Sequence, residues 1–164
     1  MKTTKKISLK KITKSGHDAE DAEMVRALCA FLDCQPDELT REKYDHYGLA
    51  LFSYGREEYA IGTDDEADEA CAEYIKDSAW AFNASFVLSE CGLPSELEEA
   101  IQAFQSEKCE SANDAIVALI EKTCGMDEFV KSAISADGRG HFLSSYDGNE
   151  NDSADGAFVI YRTN

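Results

Sequence analysis

TDDEADEACAEYIKDSAWAFNASFVLSECG, residues 63–92, has the pattern of one long helix. Thr63 and Glu66 have the spacing of a capping box, which satisfies the first free backbone N–H groups of a helix, and Gly92 is a usual helix stop. Apolar side chains recur at steps of three and four residues, a spacing that places them on one buried face: Ala67, Cys71, Tyr74, Ile75, Phe82 and Phe86. We therefore predict a helix over residues 64–91, around which the rest of the chain is organised.

One stripe of this predicted helix carries a carboxylate at every fourth position. Its members are Asp65, Glu69, Glu73 and Asp77, which we call the acidic row. Each neighbouring pair of like charges at this spacing costs a helix a few tenths of a kcal/mol. The predicted helix, roughly 40 Å long, exceeds the core of a small domain, so we expect the row to face solvent. A cost repeated along one face indicates that the row has a function.

The charge of the chain is unevenly distributed. The net charge of the 164 residues is −17, yet residues 1–16 hold six lysines and no acid, which leaves ten basic and 33 acidic groups, or −23, in residues 17–164. We expect residues 1–16 to be a basic arm or an edge strand, and residues 17–164 to form a single acidic domain. A body with this charge repels nucleic acids and membrane surfaces and attracts basic partners.

The segments before residue 63 predict helices followed by a hairpin. A helix of about four turns is expected to start near His17, because acids lead an apolar face there. Pro36 predicts the start of a short helix that ends at Glu42 or Tyr44. The alternation of apolar and polar residues over 47–61 predicts a β-hairpin that leads into the long helix.

The segments after residue 92 complete an α+β fold. Three shorter helices are predicted from their capping residues, which are Ser95, then Ser111 or Asn113, then Asp127. The runs GHFLSSY (140–146) and AFVIYR (157–162) predict the strands of a second hairpin. The expected fold class is therefore α+β, with an antiparallel sheet of four or five strands and helices packed mainly on one face.

The cysteine pattern and the hydropathy predict a cytoplasmic protein. The chain has six cysteines but no CxxC motif and no Cys/His cluster, which favours free thiols over disulfides or zinc. No apolar run approaches the roughly 18 residues that a membrane span needs, and the lysine-rich N-terminus lacks the apolar centre of a signal peptide. We predict no metal, no cofactor and no membrane partner.

The segment DGRGHFLSSYDG, residues 137–148, concentrates reactive side chains and forms a candidate secondary site: Asp137, Arg139, His141, Tyr146 and Asp147. An enzyme would use His141 as a general base oriented by one of the two aspartates. No second histidine, nucleophile elbow, phosphate loop or metal pair accompanies it, so we predict no catalytic residue and favour a half-buried, structural His141. The oxygen-rich loop after Asp147 also lacks the glycine and the glutamate that an EF-hand calcium loop requires.

Four segments resemble small acidic proteins encoded in phage and prophage genomes: WAFNASFVLSE (80–90), CESANDAIVALIEK (109–122), ADGRGHFLSSYDGNEN (136–151) and FVIYRTN (158–164). The likeness covers roughly residues 57–164, and its most specific part is 137–148 with the closing Tyr161-Arg162. That group has no settled activity. The resemblance therefore implies a phage accessory gene and lends no catalytic residue.

Together these features predict a binding protein that presents carboxylates where nucleic acid presents phosphates. The expected partner is a basic host protein that binds nucleic acid, such as a CRISPR effector or a restriction enzyme, and the role would be counter-defence. A second set of carboxylates is expected to add to the acidic row: Asp64, Asp68, Glu20 and Glu23. Two alternatives stay open, a phage protein that binds another partner without mimicry and a small enzyme with a site near Asp137, Arg139 and His141. The sequence also leaves a homodimer open.

Overall fold

The computed structural model describes residues 7–164, which form two compact units. One unit comprises the described residues up to Ala70 together with Arg139–Asn164, and the other comprises Cys71–Gly138. The predicted α+β fold class is confirmed: helices accompany one antiparallel sheet of five strands.

The sheet belongs to the first unit, and its strands follow the order β1-β2-β3-β5-β4. The strand bounds are β1 Leu39–Arg41, β2 Ala50–Tyr54, β3 Glu57–Gly62, β4 Asn151–Asp152 and β5 Val159–Arg162. All neighbouring strands are antiparallel. The predicted hairpin is confirmed as β2 and β3, joined at Gly55, whose φ of 63° suits a tight turn.

One face of the sheet packs against the two N-terminal helices, α1 (Leu9–Lys14) and α2 (Ala22–Leu32). Buried side chains from the helices and the strands share one cluster, which includes Ile12, Val25, Leu28, Phe52, Tyr59, Ile61 and Ile160. The expected edge strand is therefore wrong over Leu9–Lys14, which is helical with Ile12 in the core. Residues 1–6 of the expected basic arm lie outside the described residues. The helix expected from His17 starts later, at Ala22.

The helix predicted over residues 64–91 is interrupted, and this prediction is wrong in its second half. Helix α3 covers Asp64–Asp77, a 3-10 turn covers Ala79–Ala81, and α4 covers Ala84–Glu90. Phe82 and Asn83 between them have extended backbone, with ψ of 147° and 134°. The apolar spacing continues across the break, and for that reason the pattern indicated a single helix.

Side chains from two later helices stabilise this break. The amide of Gln105 donates to the carbonyl oxygens of Trp80 and Phe82 at 2.9 and 2.8 Å. Asn113 accepts a hydrogen bond from the Trp80 N–H at 3.0 Å and donates to the Lys76 carbonyl oxygen at 2.9 Å. These contacts satisfy backbone groups that a continuous helix would have paired within itself.

The second unit continues with α5 (Glu98–Lys108), α6 (Asn113–Lys122) and α7 (Met126–Asp137), which confirms the three helices predicted there. Phe82 and Phe86 pack with Phe129 of α7, with ring centroids 5.2 to 5.7 Å apart. This contact agrees with the predicted core role of the two rings, although each is only half-buried.

Two further secondary-structure predictions are wrong. The helix expected from Pro36 is a single 3-10 turn, Pro36–Glu38, after which the chain enters β1 to pair with β2. The run GHFLSSY is not a strand, because Arg139–Leu143 form the short helix α8. The hairpin partner of β5 is instead β4, which lies in the polar segment expected to be a loop.

Candidate functional site

The acidic row lies on the continuous part of the predicted helix. Asp65, Glu69, Glu73 and Asp77 all fall within α3, and all four are exposed. Helix geometry places the first and last carboxylates about 18 Å apart along the axis, with about 6 Å between neighbours. Among residues 7–164, no Lys, Arg or His lies within ion-pair distance of these four side chains. The row therefore combines exposure, regular spacing and negative charge without an internal counter-ion in the described chain.

A capping box fixes the start of the row. The Glu66 carboxylate accepts hydrogen bonds from the Thr63 N–H at 2.7 Å and from the Thr63 hydroxyl at 3.0 Å. In return the Thr63 hydroxyl accepts a hydrogen bond from the Glu66 N–H at 3.3 Å. Gly62, immediately before the cap, has no space for a side chain, because a Cβ there would lie 2.5 Å from Leu49 Cδ2. The first turn of α3 is thus tied to the chain that enters it.

Two of the other predicted contact residues have an internal partner. Asp64 and Asp68 both pair with Arg139, through oxygen–nitrogen distances of 2.7 and 2.9 Å. The guanidinium also donates to the Asp64 carbonyl oxygen at 3.2 Å. These carboxylates therefore hold α8 beside the first turns of α3. Unlike the acidic row, they already have a cation as partner.

Arg139 makes a third contact, with two hydrogen bonds to Glu150. Arg139 Nε and Nη2 donate to the two Glu150 carboxylate oxygens at 2.8 and 2.7 Å. The Tyr161 hydroxyl donates to the same carboxylate at 2.5 Å. Tyr161 is fully buried in β5, so this pairing connects α8 to the sheet. We call Arg139 and its partners Asp64, Asp68, Glu150 and Tyr161 the Arg139 cluster.

The hydrogen bonds of Arg139 indicate a structural role. Its five N–H groups make five hydrogen bonds to Glu150, Asp64 and Asp68, and its side chain is only 15% exposed. The hydrogen bonds that Arg139 donates to the carboxylates, above all to Glu150, raise the pKa of Arg139 above its already high ordinary value. A guanidinium used in this way has no free donor for a substrate. No local sequence pattern connects Glu150 or Tyr161 to Arg139, so neither is predicted as its partner.

Three other residues of the DGRGHFLSSYDG segment, Gly140, Ser144 and Asp147, make contacts within the segment or with Asn149 just after it. A Cβ on Gly140 would lie 2.4 Å from the Gly148 carbonyl oxygen, so the two backbone stretches pass each other too closely for any side chain. Asp147 accepts hydrogen bonds from the Asn149 N–H at 2.9 Å and the Ser144 hydroxyl at 2.8 Å. These two bonds lower the pKa of the Asp147 carboxyl.

The other residues of the candidate secondary site are exposed. His141 is exposed on α8, which corrects the expectation of a half-buried ring. Asp137 is exposed at the end of α7. Tyr146 is also exposed, and the Arg162 guanidinium carbon lies 3.6 Å from the centre of its ring. The structure therefore brings Tyr146 together with Arg162 of β5.

The last two predicted contact residues, Glu20 and Glu23, lie near the start of α2, far from the acidic row in the sequence. Glu20 is exposed in the turn that precedes α2. Glu23, in the first turn of α2, forms an ion pair with Arg26 one turn later. Glu23 therefore has a counter-ion on its own helix, whereas the members of the acidic row have none in the described chain.

Neither a group of three side chains that could hold a metal ion nor a helix that could cross a membrane occurs among residues 7–164. In residues 7–164, no three His, Cys, Asp or Glu side chains are grouped so that they could hold a metal ion. Within the same residues, no helix has both the length and the apolar composition that crossing a membrane requires. Comparisons with protein-family models, with curated proteins and with solved structures find no match.

Proposed function

We propose that this chain is an acidic binding protein that captures a basic, nucleic-acid-binding protein through the acidic row of α3. The observation that carries the proposal is that Asp65, Glu69, Glu73 and Asp77 are exposed and have no counter-ion among the described residues. Like charges at this spacing oppose helix formation, so an external cation that pairs with them would relieve the repulsion.

The charge density of the row suits the backbone of one nucleic-acid strand. One strand carries a phosphate per about 3.4 Å of axis, so about five phosphates fall within the roughly 18 Å that the row spans. The row supplies four carboxylates over that length. Duplex DNA, with one charge per about 1.7 Å, would supply about ten. The partner surface that fits best is therefore a groove that holds a single strand.

The resemblance to phage-encoded proteins gives the proposal a setting. In the cytoplasm of a bacterial host, a decoy for a nucleic-acid strand would occupy the basic groove in which a nuclease or a CRISPR effector holds a single strand. Arg and Lys in such a groove contact phosphates as charges and hydrogen-bond donors, and carboxylates satisfy the same donors. Association would be fast and would weaken as salt increases.

The experiment compares two variants with the same change in net charge. The row variant carries Asp65→Asn, Glu69→Gln, Glu73→Gln and Asp77→Asn. The control variant replaces four exposed acids near α5, namely Glu96, Glu98, Glu99 and Glu110, by Gln. Each protein is immobilised and used to capture proteins from a nuclease-treated bacterial lysate. A captured nucleic-acid-binding protein is then challenged with an excess of single-stranded or duplex oligonucleotide.

The proposal expects that wild type and control capture the same nucleic-acid-binding protein, whereas the row variant loses most of the capture. Single-stranded oligonucleotide should displace the partner at lower concentration than duplex. Equal capture by the row variant would overturn the role of the row. Capture that depends on the row but resists both oligonucleotides would instead support a basic partner that is bound without nucleic-acid mimicry.

A further inference from the structure

Cys91 and Cys124 bring two thiols together where two helices end. Cys91 directly follows α4, and Cys124 lies two residues beyond α6. Their Sγ atoms are 4.0 Å apart, although the residues are 33 positions apart in the sequence. This distance is van der Waals contact, about twice the length of an S–S bond. Cys91 and Cys124 each lie just beyond the end of a helix. Their sulfur atoms can therefore reach bonding distance without a shift of either helix along its axis.

We propose that Cys91 and Cys124 form a redox site, in which a small-molecule disulfide such as oxidised glutathione converts the two thiols to an intramolecular disulfide. Neither the acidic row nor the Arg139 cluster takes part in this chemistry. The proposal is therefore independent of the function proposed above.

The reaction proceeds by two thiol–disulfide exchanges. The Cys124 thiolate attacks one sulfur of the small disulfide, so a mixed disulfide forms and one small thiolate leaves. The Cys91 thiolate then attacks the Cys124 sulfur, which releases the second small thiolate. The two protein thiols lose two electrons and two protons, and the small disulfide gains them as two thiols.

Exposure sets the order of these steps. Cys124 is half-exposed, whereas Cys91 is only 8% exposed. Burial raises the pKa of the Cys91 thiol, which disfavours its reaction with an external molecule. Cys124 therefore meets the oxidant first, and Cys91 resolves the mixed disulfide because its sulfur is already in contact.

The position of the pair links its oxidation to the stability of the second unit. A disulfide between Cys91 and Cys124 closes a loop that contains Gln105 and Asn113. These two side chains stabilise the segment after α3 through the carbonyl oxygens of Lys76, Trp80 and Phe82. Closing such a loop restricts the unfolded chain more than the folded one, so the second unit should resist unfolding more strongly when oxidised.

The other cysteines provide internal comparisons. Cys29 and Cys34 are each 4% exposed and should not react with an external disulfide while the protein is folded. Cys109 is exposed and has no thiol partner in the described residues, so it should form a mixed disulfide that stays unresolved. The assay therefore uses the full chain with Cys109→Ser, so that the pair is measured without this background.

In the test, the full chain with Cys109→Ser is exposed to oxidised glutathione, and the thiols that have not reacted are then blocked with maleimide. Mass spectrometry of peptides maps the disulfides. The proposal expects a Cys91–Cys124 linked peptide, no bound glutathione and a melting temperature higher by several degrees, lost again on reduction. A second variant with Cys91→Ala added should trap glutathione on Cys124. If the folded Cys109→Ser protein shows maleimide on both Cys91 and Cys124, or glutathione on Cys124 without the linked peptide, the proposal is wrong.

Discussion

Arg139 and Glu150 form a two-point ion pair, with Nε and Nη2 of the guanidinium 2.8 and 2.7 Å from the two carboxylate oxygens. The same guanidinium holds Asp64 and Asp68 on the first turns of α3. One cation thus connects Glu150, 11 positions away, with the start of α3, which is 71 or more positions away. Because three carboxylates surround it, its removal would leave them to repel one another.

Replacing Arg139 by Met should therefore destabilise the fold. We expect the free energy of unfolding to fall by about 1–3 kcal/mol, since the hydrogen bonds are charge-assisted but two of the three carboxylates are largely exposed. Chemical denaturation followed by circular dichroism measures this change. The matched control is Lys131→Met, which removes an exposed ion pair with Glu128 and should change stability by less than about 0.5 kcal/mol. Equal effects of the two substitutions would contradict the role of the Arg139 cluster.

Gly140→Ala should also destabilise the protein, although alanine is the better helix former. The new Cβ would lie 2.4 Å from the Gly148 carbonyl oxygen, and backbone on both sides would have to move. Overpacking of this kind costs about 1–3 kcal/mol, more than the gain of about 1 kcal/mol from helix propensity. His141→Ala on the same short helix is the control, because that side chain is exposed and should be replaceable without loss. A more stable Gly140→Ala protein would contradict the close approach.

Local patterns predicted the parts of the fold that depend on neighbouring residues. The capping box at Thr63 and Glu66 and the hairpin around Gly55 are visible in the sequence because their partners lie within a few positions. The exposure of the acidic row also follows from the helical period. These features need no information from distant segments.

The wrong predictions fall where distant contacts override the local pattern. The segment after Asp77 has helix-compatible composition, yet Gln105 and Asn113, from 23 to 37 positions away, stabilise the break. GHFLSSY has strand composition, but the close approach of Gly140 to Gly148 and the contacts of Arg139 favour a helical turn. In the same way, the pairing of Asp64 and Asp68 with Arg139 had no sequence signal, since 71 or more residues separate the partners.

The break after α3 provides a third prediction. Gln105 is 9% exposed, and its side-chain amide donates to the carbonyl oxygens of Trp80 and Phe82 at 2.9 and 2.8 Å. Replacing Gln105 by Ala should lower the free energy of unfolding by about 1–3 kcal/mol, because both carbonyl oxygens lose the hydrogen bond from this amide. Gln102→Ala, on the exposed side of the same helix, should have an effect within about 0.5 kcal/mol. Hydrogen exchange at residues 78–86 should accelerate in the Gln105 variant alone, and unchanged exchange would show that the break does not depend on this amide.

The stability of the protein should depend on pH through His46. This ring donates a hydrogen bond from Nε2 to the Leu143 carbonyl oxygen at 3.0 Å, and burial lowers its pKa below the ordinary value of 6.5. Between the lowered pKa and 6.5, the unfolded chain binds more protons than the folded one, so stability increases with pH in that window. The contribution of His46 is therefore complete above pH 6.5 and is lost as the pH falls through the folded-state pKa. We expect His46→Gln to reduce the loss of stability on acidification from pH 7.5 to pH 5. Urea denaturation across this range measures both profiles, and parallel profiles for wild type and His46→Gln would show that the buried ring does not titrate as inferred.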